Sequence, residues 1–118
     1  MGPEPLHEDA QLYIGQAEFH LRRGELAAAR DAYEVALRFD GRSVRALCGL
    51  AGVLLRQNVI EEARRVLGQA LQIDASSAVA LQLMGELHLR CGRFEQAADH
   101  FARACEADAD ARRRPLRP

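Results

Sequence analysis

The sequence predicts an all-α solenoid of three stacked helical hairpins, about six helices in all. Three observations lead there. The first is a period of 34 residues: Ala29, Ala63 and Ala97 fall at that interval, as do Ala36, Ala70 and Ala104; Leu21, Leu55 and Leu89; Arg22, Arg56 and Arg90; and Asp40, Asp74 and Asp108. A fixed period of this size marks units that bury their apolar faces only by stacking on a neighbour. The second is periodicity within each unit. Apolar residues recur at helical spacing, as in Val66, Leu67, Ala70 and Leu71, and nothing alternates with period two for long, so no strand is expected. The third is composition. Aromatics make up 5 % and Ala is abundant, which favours closely packed helices.

The elements follow in order. Residues 1–9 read as an N-terminal extension, 10–111 as the repeat domain in blocks 10–43, 44–77 and 78–111, and 112–118 as a basic tail. Helices are expected at about 8–23 and 25–39, 44–57 and 60–73, and 78–91 and 94–107. The break inside each pair centres on Gly24, Asn58 and Gly92, the residue types that take the left-handed conformation ending a helix. Between blocks, Gly41, Ser43, Ser76 and Ser77 supply helix stops and N-caps. The tail, Arg112-Arg113-Arg114-Pro115-Leu116-Arg117-Pro118, is expected to be a disordered, solubilising end; no aromatic is interleaved for stacking on nucleic acid bases.

At 118 residues the chain makes one domain, able to bury roughly two thirds of its unfolded surface. A net charge of −1 gives no bulk field toward nucleic acid or anionic lipid, and no apolar run suits a membrane span, so neither is an expected partner. All sixteen basic residues are Arg, which suggests a GC-rich, bacterial genome. Cys48, Cys91 and Cys105 lack disulfide-framework spacing and read as reduced thiols; with no signal peptide visible, a cytoplasmic location is expected.

The three blocks resemble tetratricopeptide repeats. Counting from the first residue of each block, the family's small residue at position eight is Ala17, Ala51 and Gly85. The turn residue at fifteen is Gly24, Asn58 and Gly92. A large apolar residue at seventeen is Leu26, Ile60 and Phe94, the Ala at twenty is Ala29, Ala63 and Ala97, a bulky residue at twenty-four is Tyr33, Leu67 and Phe101, and the Ala at twenty-seven is Ala36, Ala70 and Ala104. Small residues sit where helices approach closely, and bulky ones plug the neighbouring groove. The family's Pro near position thirty-two is replaced by Gly41, Ala75 and Ala109, and position eleven by His20, Leu54 and His88. The resemblance implies a right-handed solenoid whose first helices line a concave face.

On that resemblance, the residues facing the groove are Gln11, Ile14, Glu18, Leu21 and Arg22; Arg45, Cys48, Gly52, Leu55 and Arg56; and Val79, Gln82, Glu86, Leu89 and Arg90. Leu21, Leu55 and Leu89 would form an apolar ladder with the three Arg beside it, and Gly49 and Gly52 would leave room for a ligand. The expected partner is another protein, offering an extended or helical segment with apolar anchors and acidic neighbours. The alternative is that the Leu ladder packs between helices and the Arg row is a solvated edge; Leu55→Glu is the variant that tests the groove, which requires it to lose partner binding while folding normally. One subclass of the family clamps the C-terminal carboxylate of chaperones. The corresponding residues here are Ile14, Glu18, Gly49, Val79 and Leu83; none donates to a carboxylate, so that mode is disfavoured. An apolar groove on three repeats is also similar to bacterial type III secretion chaperones, which leaves a secretion or assembly chaperone beside the generic scaffold or adaptor.

Catalysis and cofactors are not expected. His88 and Cys91 lie three apart, but His100 and Cys105 lie five apart and diverge around their helix, so a zinc site is disfavoured. No oxyanion loop, orienting carboxylate or phosphate-binding Gly-rich loop accompanies them. The last helix, with Phe94, Ala97, Ala98, Phe101 and Cys105, is expected to leave an apolar flank uncovered, either because the chain is a fragment or because the flank pairs with a second copy.

Overall fold

A computed structural model describes residues 5–113. Six helices run in series: α1 Pro5–Arg22, α2 Leu26–Phe39, α3 Val44–Arg56, α4 Ile60–Ile73, α5 Ala78–Arg90 and α6 Phe94–Arg113. No strand occurs among the described residues. The helices pair as α1/α2, α3/α4 and α5/α6, each hairpin packs on the next, and α5 also touches α3. The all-α solenoid expected from the period is the architecture found.

The turn within each hairpin repeats one hydrogen-bond pattern. Gly24, Asn58 and Gly92 have φ of 76°, 63° and 75°. At each, the residue's own N–H donates to the carbonyl three residues back and the next N–H donates five residues back, as in Gly24 to Leu21 (3.0 Å) and Glu25 to His20 (2.9 Å). These are Schellman closures, which satisfy helix-end carbonyls and need a residue tolerant of positive φ. In the first turn, His20 Nδ1 meets the Glu25 carboxylate at 2.8 Å and Arg23 Nε donates to it at 3.3 Å, which holds the Glu25 carboxyl below its usual range.

The connections between hairpins are copies of each other. Asp40 and Asp74 each accept, through Oδ1, the N–H two residues on at 3.1 Å. Ser43 and Ser77 then cap α3 and α5 by accepting the N–H of Ala46 (3.1 Å) and Ala80 (3.2 Å). Such caps each contribute about 1 kcal/mol.

The core runs along the middle of the stack. Eight of the thirteen residues of α3 are buried, including Leu54 (0 % exposed) and Leu55 (1 %). The repeat Ala residues Ala29, Ala63 and Ala97 are all buried at helix crossings. Tyr13 stacks on Phe39 at 5.6 Å and 9°, fastening α1 to α2. The sixth helix runs past the expected end at 107 to Arg113, since nothing between 108 and 113 breaks a helix; Arg112 pairs with Asp108 and Arg113 with Asp110, both at 3.0 Å. The first four residues of the expected N-terminal extension, and 114–118 of the tail, lie outside the described residues; the rest of each belongs to α1 and α6.

Candidate functional site

The first helices α1, α3 and α5 share one face, and in its middle lies an open recess of about 470 Å³. Its lining is mainly apolar: Leu21 from α1, Val44, Cys48 and Gly52 from α3, and Val79 and Leu83 from α5. Tyr33 reaches in from α2, and Glu18, Arg45 and Ser77 complete the rim. The recess exists because two glycines on α3 face it with opposite effects. A Cβ on Gly49 would collide with the Tyr33 ring, so that space is already filled. A Cβ on Gly52 would meet nothing within 4 Å.

The charged rim is internally balanced. Arg45 Nη2 and Nε donate to Glu18 Oε2 at 2.7 and 3.2 Å, and Nη1 donates to Gln11 at 3.4 Å, tying α1 to α3 across the opening. Burial pushes the Tyr33 phenol up, Glu18 adds to that, and Arg45 partly opposes it. Burial likewise pushes the Cys48 thiol up, while a hydrogen bond with Ser77 pulls it back and Asp74 raises it further. Both groups therefore stay protonated at neutral pH. The recess therefore presents apolar surface with a protonated phenol and thiol in its lining.

The sequence-predicted groove residues divide. Glu18, Leu21, Arg45, Cys48, Gly52 and Val79 come together in the recess. Gln82 belongs to a second recess of about 450 Å³ between α5 and α6, with Ala78, Val79, Phe101, Ala104, Cys105 and Asp108. Arg22, Arg56, Glu86, Leu89 and Arg90 line neither. Ile14 (0 % exposed) and Leu55 (1 %) are core residues, which corrects their placement on the groove. The apolar ladder is therefore not continuous: Leu21 is half-buried, Leu55 is covered, and Leu89 is 46 % exposed. The reason is α5, which packs on α3 and closes over its C-terminal turn. Arg90 Nη1 donates to the Leu55 carbonyl at 2.7 Å there, so one member of the Arg row serves as a helix cap. Tyr33, Val44 and Ser77 were missed. The available signal for Tyr33 was the missing side chain at Gly49.

Among the described residues, no group of three His, Cys, Asp or Glu is placed to hold a metal ion. His88 and His100 instead pack ring on ring at 5.0 Å, and Cys91 and Cys105 are exposed thiols. On the last hairpin Phe94, Ala98, Phe101 and Cys105 reach the surface to some degree, whereas Ala97 is buried (1 %). No helix of the described residues is long and apolar enough to cross a membrane.

Comparison with known proteins agrees with this architecture. Tetratricopeptide repeat family profiles match residues 54–117 and 10–34. No curated protein matches the sequence. Among solved structures, the chain is similar to the second repeat domain of Spaghetti (RPAP3) bound to the HSP90 peptide SRMEEVD, with 19 % identity over 88 % of this chain and 96 % of that one, at a TM-score of 0.81. It is similar to the Arabidopsis OM64 repeat domain (18 % identity, 88 % and 86 % covered, TM-score 0.82). It is similar also to the Yersinia enterocolitica type III secretion translocator chaperone SycD (16 % identity, 86 % and 77 % covered, TM-score 0.80).

Proposed function

The chain belongs to the tetratricopeptide repeat family, and we propose that it is a non-catalytic protein-interaction module whose recess at Gly52 seats an apolar side chain of a partner segment. The observation that carries this reading is the open, apolar space over Gly52, walled by Leu21, Cys48, Val79 and Leu83 and floored by Tyr33. A buried anchor in such a pocket contributes about 2 kcal/mol or more. The partner is an extended or helical segment with acidic residues beside its anchor, which meet the exposed Arg22 and Arg56.

Support for a protein partner comes from the Spaghetti domain, which holds a peptide in a related fold. Three of the last four residues of that peptide are acidic. Here Glu18, Gly49, Val79 and Leu83 offer no cation where a carboxylate clamp would stand, so an apolar anchor suits the recess better than an acidic terminus. A narrower reading, a bacterial secretion or assembly chaperone in the cytoplasm, draws support from the likeness to SycD; a client protein unstable without this chain would distinguish it. The flank of α5 and α6, with Phe94 at 68 % exposure, is the candidate surface for pairing with a second copy; a strictly monomeric sedimentation profile would exclude that.

The test is affinity capture with wild type and Gly52→Leu. Leu55→Glu is unsuitable because it puts a charge into the core. At Gly52 the new side chain enters open space and replaces a poor helix former, so folding is retained. A protein captured by wild type and lost with Gly52→Leu supports the recess. The same set captured by both sends the function to another surface.

A further inference from the structure

A guanidinium carries five N–H donors and is satisfied in a packed junction only when acceptors surround it. Arg30, between the first and second hairpins, meets that demand. Its Nε donates to Glu34 at 3.3 Å, its Nη2 to both oxygens of Glu62 at 3.2 and 3.3 Å, and its Nη1 to Gln57 at 3.5 Å. Arg64 stands 34 residues later, at the same repeat position, facing the third hairpin. Every acceptor has changed at the matching positions: Gly68 stands for Glu34, Gln96 for Glu62 and Cys91 for Gln57.

The consequence is visible at Arg64. Its Nη2 keeps one long contact, 3.5 Å, with the exposed Glu61, and its Nε is buried without an acceptor. The surroundings are cationic. The His88 Nδ1 is also buried without a partner, and the His88 ring packs on His100 at 5.0 Å. Desolvation holds the His88 imidazole below its usual value, and the charges of His100, Arg93 and Arg64 press in the same direction. Among the described residues, Glu61 is the one carboxylate paired with Arg64. Unpaired donors beside several cations are the features of a site for an oxyanion.

We propose that the junction around Arg64 of α4, His88 of α5 and Arg93 at the start of the last helix binds an oxyanion that takes the place of the carboxylates filling the first junction. The anion accepts from Arg64 Nε and, by offsetting the neighbouring positive charge, draws a proton onto the His88 ring so that it donates as well; it joins the third hairpin to the second. Free phosphate and a carboxylate share this chemistry, and both serve as probes.

The test measures Tm and the His88 ring titration by NMR in phosphate, acetate and chloride at matched ionic strength. Wild type, Arg64→Gln and Gln96→Glu are compared. The last restores the carboxylate that Glu62 supplies at the first junction. The expected result is a wild-type Tm raised by about 2–5 °C over chloride in phosphate, in acetate or in both, with the His88 midpoint moving up, since a bound anion favours the imidazolium. Both responses disappear in Arg64→Gln, and in Gln96→Glu, where the Tm in chloride is already raised. A response in phosphate alone identifies a phosphate site, and one in acetate a carboxylate site. A Tm gain equal in all three proteins is general salting-out and overturns the proposal, as does a His88 titration indifferent to both anions. Should Arg64→Gln fail to fold, the exposed Gln96→Glu carries the comparison alone.

Discussion

The junction between the first and second hairpins is built differently from the one between the second and third. At the first, Arg30 is held by two carboxylates and an amide, and the Tyr33 ring crosses to lie on Gly49 of the next hairpin. At the second, Arg64 has one long partner and the residue matching Tyr33 is Leu67. In the third hairpin the matching Phe101 turns back on its own first helix, where a Cβ on Gly85 would lie 2.7 Å from the ring. The main core cluster accordingly takes residues from α1 to α5 and none from α6. A period in sequence thus does not make equal interfaces; the residues between the repeated alanines decide how firmly each unit is held.

The largest test of that inequality compares one repeat position in two hairpins. Leu55→Ala is expected to cost about 2–5 kcal/mol in denaturant unfolding, whereas Leu89→Ala, at 46 % exposure, costs less than about 1 kcal/mol. Equal losses would break the comparison. Next in size are the two glycines of α3. Gly49→Ala is expected to cost about 1–3 kcal/mol by driving Tyr33 from its seat, and Gly52→Ala to gain up to about 1 kcal/mol through helix propensity. Placing Gly49→Ala in a Tyr33→Leu background should remove the penalty, because the colliding ring is gone.

Smaller again is the effect of the Arg at each junction. Arg30→Gln is expected to cost about 1 kcal/mol, since its partners are partly solvated, while Arg64→Gln in chloride is close to neutral. The smallest effect is a pH slope. The folded chain binds the His88 proton less readily than the unfolded chain, whose imidazole titrates at 6.5. Stability therefore falls as pH drops below that value, because the unfolded state takes up the proton first. His88→Leu, matching Leu54 of the second hairpin, should flatten the Tm profile between about pH 7.5 and 5.5.

The hairpins were legible because their signals are local. Gly24, Asn58 and Gly92 announce left-handed turns, and Ser43 and Ser77 announce caps, whatever surrounds them. The recess was legible only in part because lining a face depends on neighbours. Leu21, Leu55 and Leu89 share a position, yet the α5 contact covers only the middle one. Tyr33 sits on a second helix and enters the site through a gap that Gly49 leaves, a relation between residues sixteen apart on different elements. The end of α6 was misplaced because the period suggested a boundary that the local sequence does not impose.

That last helix bears on how such a chain can grow. Asp108 occupies the position of Asp40 and Asp74, yet it lies inside a helix. What differs is the last residue of the block: Ser43 and Ser77 open the following helix, and Ala111 stands in their place. A unit carries at its own end the start signal of its successor. Duplicating residues 44–77 in frame after Ser77 would then deliver a hairpin, a connection and a working cap together, lengthening the face formed by the first helices in heritable steps of one block. A duplication cut from 78–111 would carry no such start signal and would fuse two helices instead.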